Sequence, residues 1–310
     1  MQNAMKLFKK QLPLQTFVIT GVIYIFIFAY IPMFGLVIAF KDYDIVTGIR
    51  GMFTSPWIGF QHFIEFFTTF GFGNLVLNTV AISVLKLIFA FPLPIIFALM
   101  LNEMRFINYK KIVQTCSYLP HFISWVIVSG ISFRFLSSTG IVNSILQRVR
   151  LIEEPLPFLS SAEMFWGLAV SLDIWKSMGW WTIIFLAAIA GVNSDLYEAA
   201  ALDGAGRLKR IRYITLPCIK PTIVIVLILA LGNLFGGGLS GSNFEQSWLL
   251  GNAMNAMRSE IIQTYVFRVG LQLGRFDYAT AAGMVQSVIS LILIVSSNYA
   301  AKKISGTGLF

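Results

Sequence analysis

Long apolar segments constrain this chain more than any other feature, because a membrane satisfies them and water does not. Six segments reach about 20 residues, the length at which a helix crosses the hydrocarbon core of a bilayer. They cover residues 14–40, 74–101, 114–136, 163–190, 218–236 and 279–300. Apolar residues make up 57% of the chain and charged residues only 12%, too little polar surface for a soluble globule. The sequence predicts an all-α membrane protein with six transmembrane helices.

The distribution of Lys and Arg between these segments predicts the orientation. If the N-terminus is cytoplasmic, thirteen cations lie on the inner side and seven on the outer side. Both termini are therefore expected in the cytoplasm. Residues 14–40 exceed the core of a signal peptide and no small-residue cleavage site follows them, so they are expected to remain as an anchor. The net charge of +9 lies mostly in loops, which favours orientation over nucleic-acid binding.

A polar, basic stretch, EAAALDGAGRLKRIRYITLP, interrupts the apolar pattern at residues 198–217. Ser194 or Asp195 can cap a helix there, and the alanines favour that helix. Glu198 is expected in the first turn, where the helix dipole stabilises an anion. The sequence therefore predicts a short helix in an otherwise loop-like region.

The end of this helix is also predicted. Gly204 or Gly206 is expected to end or bend it, and Pro217 to mark the entry into the fifth span. The predicted orientation places the whole loop, residues 191–217, in the cytoplasm. On physical grounds alone, an ordinary positive-inside loop and a functional helix fit this stretch equally well.

Several residues of the stretch recur at a fixed spacing that is typical of one family. They are Glu198, Ala199, Ala200, Gly204, Ile214, Leu216 and Pro217. This spacing resembles the EAA loop of permease subunits in binding-protein-dependent ABC importers. The likeness covers most of residues 74–306, for example KKIVQTCSYLPHFISWVIV (110–128) and GIVNSIL (140–146). Within the sugar-importing branch the sequence is most similar to oligosaccharide and polysaccharide permeases, including those for alginate and aldouronate.

The resemblance implies the type I ABC importer permease fold and a bacterial inner-membrane, or plasma-membrane, location. Residues 1–73 would hold the first transmembrane helix and an outer interfacial segment. Residues 74–310 would form the permease core of five transmembrane helices, with the loop at 191–217. The implied partners are a homologous permease subunit, two ABC ATPase subunits, an external solute-binding protein, an oligosaccharide and the lipid bilayer.

In this family the helix of the EAA loop docks in a cleft on the ATPase. ATP and Mg²⁺ would be bound by the ATPase subunits, and this chain would bind no cofactor. Gly204 is expected to provide a bend and a close approach that a Cβ would obstruct. The residues assigned to ATPase coupling are Glu198, Ala199, Ala200, Asp203, Gly204, Arg207, Leu216 and Pro217.

Three charged residues, Lys86, Asp173 and Lys176, fall near the middle of predicted spans. An ionised side chain there costs about 2.5–3.5 kcal/mol on insertion scales, so it needs a partner. Asp173 and Lys176 are three residues apart and are expected to neutralise each other, with Lys86 joining them. Two roles stay open, an ion pair that fixes packing and a lining of the translocation path. The candidate path residues are Lys86, Tyr118, Phe122, Trp125, Asp173, Lys176, Asn233 and Gln286.

Two segments outside the spans also lead to expectations. Residues 55–67 are amphipathic, with Trp57, Phe60, Phe63 and Phe67 toward one side, and are expected along the outer interface. Residues 236–278 are expected to form a loop with a flexible tip at Leu239–Asn252 and a helix near Arg258–Leu273. The flexible tip would suit contact with a solute-binding protein, and an ordinary surface loop fits equally well.

An enzyme and a secondary transporter are the competing classes. No nucleophile, base and oxyanion site can be assembled, so no catalytic residue is assigned. His121 is expected at a helix start and not as a metal ligand, because no second ligand lies at suitable spacing. An ion-coupled secondary transporter remains the alternative, although Asp173 is the one central acid available to it. The arginines in residues 236–278 are compatible with an acidic sugar as the substrate, and a neutral sugar fits equally well.

Overall fold

The structure, a computed structural model, describes the backbone of residues 2–305 and the side chains of residue 11 and residues 14–303. Within these described residues, five continuous helices and one bent pair are long and apolar enough to cross a membrane. They are S1 (Leu14–Phe40), S2 (Phe72–Asn102), S3 (the pair Ile107–Phe122 and Trp125–Phe135), S4 (Ala162–Ala190), S5 (Arg207–Gly232) and S6 (Phe276–Lys303). Within the described residues the β-structure is a single bridge between Lys41 and Trp57. The all-α prediction is confirmed.

Shorter helices connect the spans. They are Gly48–Thr54, Gln61–Thr68, Ile141–Arg148, Ser194–Leu202, Asn243–Leu250, Ala256–Ser259 and Ile262–Phe267. Ser194–Leu202 is named the EAA helix and Asn243–Leu250 the inserted helix. The helix predicted near residues 258–273 is in fact two short helices followed by a wide turn at Arg268–Gln272. The break falls at Glu260, whose backbone is extended.

The third predicted span, residues 114–136, is wrong as a continuous helix. The two halves of S3 meet at an angle of 101°. Pro120 lacks the amide hydrogen that would continue the first half, and Ile123 has an extended backbone. Ser124 then starts the second half as its N-cap, because its hydroxyl accepts a hydrogen bond from the amide of Ile127 at 3.4 Å. His121 lies in the last turn of the first half, so it ends a helix and does not start one.

Three spans contain one wide, π-helical turn each, and a proline follows every one of these turns. The turns are Phe26–Tyr30, Lys86–Ala90 and Ile211–Thr215, and the prolines are Pro32, Pro92 and Pro217. A proline clashes with the carbonyl four residues earlier and cannot bond to it. The wide turn relieves this by letting the preceding residue donate five residues back, as Phe91 does to Lys86. The spans therefore continue through their prolines.

The described residues fall into two compact units. The first contains the residues up to Thr69 together with Val266–Val285. Here Phe40 packs on Trp57, Phe60 and Phe63, which confirms most of the predicted aromatic side of residues 55–67. Phe67 instead contacts Phe66. The guanidinium of Arg275 donates to both carboxylate oxygens of Glu65, and the imidazole of His62 lies 3.1 Å from Asp277.

The second unit contains Phe70–Tyr265 and the described chain from Gln286 onward. S4 lies at its centre and packs along S2 and S5. One apolar cluster joins these three spans through Ala98, Phe185, Ile189, Ile219 and Val226. Another joins S2 and S4 to the inserted helix and to the turn after Glu260 through Ile82, Phe165, Ala169, Leu250 and Ile261. The inserted helix is therefore part of the core.

The predicted flexible tip at Leu239–Asn252 is wrong. Ser242, Asn243, Gln246, Ser247 and Leu250 are all buried. Burial orders this segment, because Ser242, Asn243 and Gln246 form hydrogen bonds with other side chains inside the unit. Sequence reasoning missed it since polar residues in a glycine-rich region usually indicate a loop.

Candidate functional site

The EAA helix forms where the sequence predicts it, with corrections at its start. Asn193 is the N-cap, because its side-chain oxygen accepts from the amide of Asp195 at 3.0 Å. Ser194 and Asp195 are therefore the first helical residues and not the cap. Glu198 lies in the second turn, one turn later than expected, and is exposed.

Gly204 ends the EAA helix, as predicted. Its φ of +72° is in the left-handed region, which costs little for glycine alone. No atom of the described chain lies within 4 Å of a Cβ built at this position, so the backbone conformation and not close packing within this chain explains the glycine. Beside it, Ala199 and Asp203 are exposed, and Leu202 is 91% exposed. The helix therefore ends in an apolar tip that the described part of the chain does not cover.

Two polar contacts attach the EAA helix region to the spans. The hydroxyl of Tyr197 lies 2.9 Å from that of Thr215, which is buried at the base of S5. Arg207 forms an ion pair at 3.7 Å with Glu103, which follows S2. S5 already begins at Arg207, so Pro217 lies inside the helix and does not mark its start.

The path candidates Lys86 and Asp173 meet in a buried polar cluster. Their charged groups are 3.7 Å apart, and each residue is 2% exposed. Lys86 Nζ donates to Ser242 Oγ at 2.9 Å and to Gln246 Oε1 at 2.6 Å. Ser242 Oγ in turn donates to Asp173 Oδ1 at 2.7 Å. The inserted helix thus completes the solvation of an ion pair between S2 and S4.

This cluster leaves little room for a ligand. The adjoining cavity, lined by Lys86, Asp173, Trp181, Gly238 and Ser240 among others, has a volume of about 20 Å³. A single water molecule fits in such a space, whereas a sugar ring does not. In this conformation the cluster joins S2, S4 and the inserted helix.

Lys176 does not pair with Asp173, contrary to the sequence prediction. Lys176 Nζ donates to the carbonyl oxygen of His121 at 2.6 Å and lies 5.7 Å from the centre of the Trp125 ring. The His121 ring stacks on Trp180 at 4.5 Å. An ammonium favours the carbonyls at a helix C-terminus because the dipole is negative there. Lys176 therefore stabilises the bend of S3.

The remaining path candidates lie apart from this cluster. Phe122 is 71% exposed and Trp125 is buried, on opposite sides of the bend, so with Tyr118 they do not form one helical stripe. Asn233 follows the last residue of S5, and its Nδ2 donates to the carbonyl of Gly238 at 3.0 Å. Gln286 is half-buried on S6. Ser242, Gln246 and Asn243 are the residues that sequence reasoning missed; their polar face at helical spacing was the available signal.

Metal chemistry finds no support in the described part of the chain, where no group of three His, Cys, Asp or Glu side chains could hold an ion. The two histidines serve other contacts. His121 stacks on Trp180, and His62 contacts Asp277 and the carbonyl oxygen of Lys41.

Comparison with known proteins gives a consistent result. Residues 90–305 match the family described as the binding-protein-dependent transport system inner membrane component. Protein LplB of Bacillus subtilis (strain 168) is 45% identical over 94% of this chain and 89% of its own length. The polygalacturonan/rhamnogalacturonan transport system permease protein YteP of the same organism is 45% identical over 94% of this chain and 88% of its own length.

A solved structure has the same fold over nearly the whole chain. It belongs to a bacterial ABC transporter involved in the import of the acidic polysaccharide alginate. The TM-score is 0.87 at 40% sequence identity, and the match covers 98% of this chain and 99% of that one. A second crystal structure, of a bacterial alginate ABC transporter with an alginate pentasaccharide-bound periplasmic protein, matches with a TM-score of 0.87 at 41% identity.

Proposed function

This chain belongs to the family of inner-membrane components of binding-protein-dependent transport systems, and we propose that it forms part of the path by which an acidic oligosaccharide enters the bacterial cytoplasm. It is a multi-pass inner-membrane protein and a transport subunit, not an enzyme. Its partners are a second permease subunit, ABC ATPase subunits and an external solute-binding protein. We propose that the ATPase subunits bind ATP and Mg²⁺.

The proposal of an acidic substrate rests on two observations. Alginate and polygalacturonan, named for the similar transporters, are both acidic polysaccharides. In this chain, Lys176 lies at the midpoint of S4 and has no carboxylate within 4 Å among the described residues. A cation at that depth is costly unless water or an anion compensates it. A uronate carboxylate is the anion that an acidic sugar would supply.

The EAA helix is proposed as the contact with an ATPase subunit. This proposal is supported by the fact that the EAA helix is exposed on one side and attached to the spans on the other. Glu198, Ala199 and Leu202 are exposed, whereas Tyr197 bonds to Thr215 of S5. Just after the EAA helix, Arg207 begins S5 and pairs with Glu103, which follows S2. A short stiff element with such attachments passes a push from its partner to the spans as a rigid body.

Exchange of charge at Glu198 tests this contact. In Glu198→Lys we expect normal membrane insertion, because Glu198 is exposed and bonds to no described residue. We also expect the ATPase subunits to be lost when the complex is purified. The matched control is Glu153→Lys, which reverses another exposed carboxylate in the loop before S4 and should retain the complex. A Glu198→Lys complex with normal composition and normal uptake contradicts the coupling role.

The ion-coupled alternative is tested by the energy source. Asp173, the acid it would need, is held by Lys86 and Ser242, which leaves no free carboxylate at that position for a transported ion. Uptake into vesicles should require internal ATP and the external binding protein. Uptake that survives ATP depletion and stops with an uncoupler would favour the secondary transporter.

A further inference from the structure

The inserted helix lies within the thickness of the membrane. Ser242 bonds to Asp173, the twelfth residue of S4, and Gln246 Nε2 donates to the carbonyl of Ala169, the eighth. At 1.5 Å per residue these positions lie about 10–17 Å from the Ala162 end of S4. S4 is about 43 Å long, so about 7 Å at each end lies outside a 30 Å hydrocarbon core. The segment from Ser242 to Gln246 therefore lies about 4–10 Å inside that core.

One face of the inserted helix is buried, and the opposite face is exposed and carries a charged residue. Asn243, Gln246, Ser247 and Leu250 form the buried face. Glu245 is exposed on the other side, and Trp248 is 38% exposed beside it. This pattern is the reverse of a helix that faces lipid, where the exposed residues are apolar. On S6, for example, Leu291 and Val295 are 61% and 50% exposed.

An exposed carboxylate at this depth excludes contact with lipid. A charged residue in the hydrocarbon core costs several kilocalories per mole, and such residues face a bundle interior or a water-filled cavity. Gly237 and Gly238, just before the inserted helix, have left-handed backbone conformations and are buried. Irregular backbone at membrane depth is tolerated where protein buries it or where it lines a cavity. The side of the inserted helix that carries Glu245 therefore faces water, substrate or another subunit.

We infer that Glu245 and Trp248 line the water-filled translocation path and contact the oligosaccharide, an inference that rests on the proposed transport function. The carboxylate of Glu245 accepts hydrogen bonds from sugar hydroxyl groups, and the indole of Trp248 packs against the apolar face of a sugar ring. The carboxylate of Glu245 also attracts the ammonium of Lys176. An acidic sugar in this path would direct its carboxylate toward Lys176 and its hydroxyl groups toward Glu245.

Thiol labelling of the assembled importer tests whether this face meets water. In a background of Cys116→Ser and Cys218→Ser, Glu245→Cys and Trp248→Cys should react with a charged, water-soluble thiol reagent in the purified complex. The controls Leu291→Cys and Val295→Cys should react with a lipid-soluble maleimide and resist the charged reagent. Absence of labelling at Glu245→Cys overturns the inference, and so does loss of the partner permease, because that outcome makes the face a subunit contact.

Uptake kinetics test the contact with sugar. With alginate pentasaccharide or an oligogalacturonate as the probe, Glu245→Ala should raise the KM of uptake about tenfold or more, as expected for the loss of a charge-assisted hydrogen bond. An unchanged KM in a variant whose thiol counterpart is labelled overturns the sugar contact. If the unsubstituted importer takes up neither probe, the proposed acidic substrate fails, while the labelling result still decides whether the face lines a path.

Discussion

Removing one member of the Lys86–Asp173 ion pair should destabilise the protein more than removing both. Lys86→Met leaves the carboxylate of Asp173, 2% exposed, with Ser242 as its remaining donor. Breaking a buried pair in this way costs about 3–5 kcal/mol. At about 1.4 kcal/mol per factor of ten, the ratio of folded to unfolded protein falls by two to more than three orders of magnitude.

The double substitution removes both charges, so it does not leave the carboxylate of Asp173 buried without its cation. Lys86→Met with Asp173→Leu should cost about 1–3 kcal/mol, because Gln246 Oε1 still loses its donor. Resistance of the purified complex to thermal unfolding in detergent provides the measurement, analysed as a double-mutant cycle. Lys176→Met is the matched control; it removes a cation from the same span, but the hydrogen bond lost is to the backbone carbonyl of His121 and not to a buried carboxylate, so its effect should be smaller. A double variant whose loss equals the sum of the two single losses would refute the role of this pair.

Two further predictions concern packing and surface charge. Gly179→Ala places a Cβ 2.1 Å from the backbone oxygen of Ser117, so it should destabilise the S3–S4 contact by about 1–3 kcal/mol. Gly130→Ala is the control, because its Cβ meets no atom within 4 Å and should not destabilise the protein. Equal thermal stabilities of the two variants would contradict this prediction. The hydrogen bonds from Arg275 lower the pKa of Glu65 below its ordinary value of 4.5, despite the opposing effect of burial. The pair therefore stabilises the fold above pH 4.5, and this stabilisation is lost as the pH falls through the lowered pKa. Because both side chains are more than 40% exposed, the effect is at most about 1 kcal/mol, and Glu65→Gln should remove that part of the acid sensitivity in melting curves at pH 4 and pH 7.

The EAA helix could be predicted from sequence because its signals are local. Alanines favour the helix and Gly204 provides the left-handed residue that ends it. The cap was wrong by one or two residues, since Asn193, Ser194 and Asp195 all belong to the types that cap helices. Such shifts at helix ends are normal when several good caps are adjacent.

The pairing of the buried charges could not be predicted, because it depends on contacts between distant segments. Lys176 is three residues from Asp173 and is its natural partner on an isolated helix. In the fold, however, the carbonyl of His121 meets Lys176, and Lys86 reaches Asp173 from another span. Spacing along one helix sets which side chains share a face, but the neighbouring helices decide which of them meet.

The inserted helix was missed for a related reason. In most helices the buried face is apolar, and sequence reasoning relies on that pattern. Here the buried face carries Asn243, Gln246 and Ser247, and the reason for this lies in S2 and S4, where Lys86 and Asp173 need hydrogen-bond partners. A polar segment between membrane spans therefore also fits a structure that solvates charges within the bundle.

S5 connects the two regions on which the proposals depend. Its base holds Thr215, which contacts Tyr197 of the EAA helix, and Asn233 at its other end bonds to the carbonyl of Gly238. Asn243 of the inserted helix donates to the carbonyl of Phe235, just beyond S5. If the EAA helix is displaced in the way that we propose, S5 can carry that displacement toward the inserted helix as a rigid element. Glu198 of the EAA helix and Glu245 of the inserted helix therefore lie near opposite ends of S5.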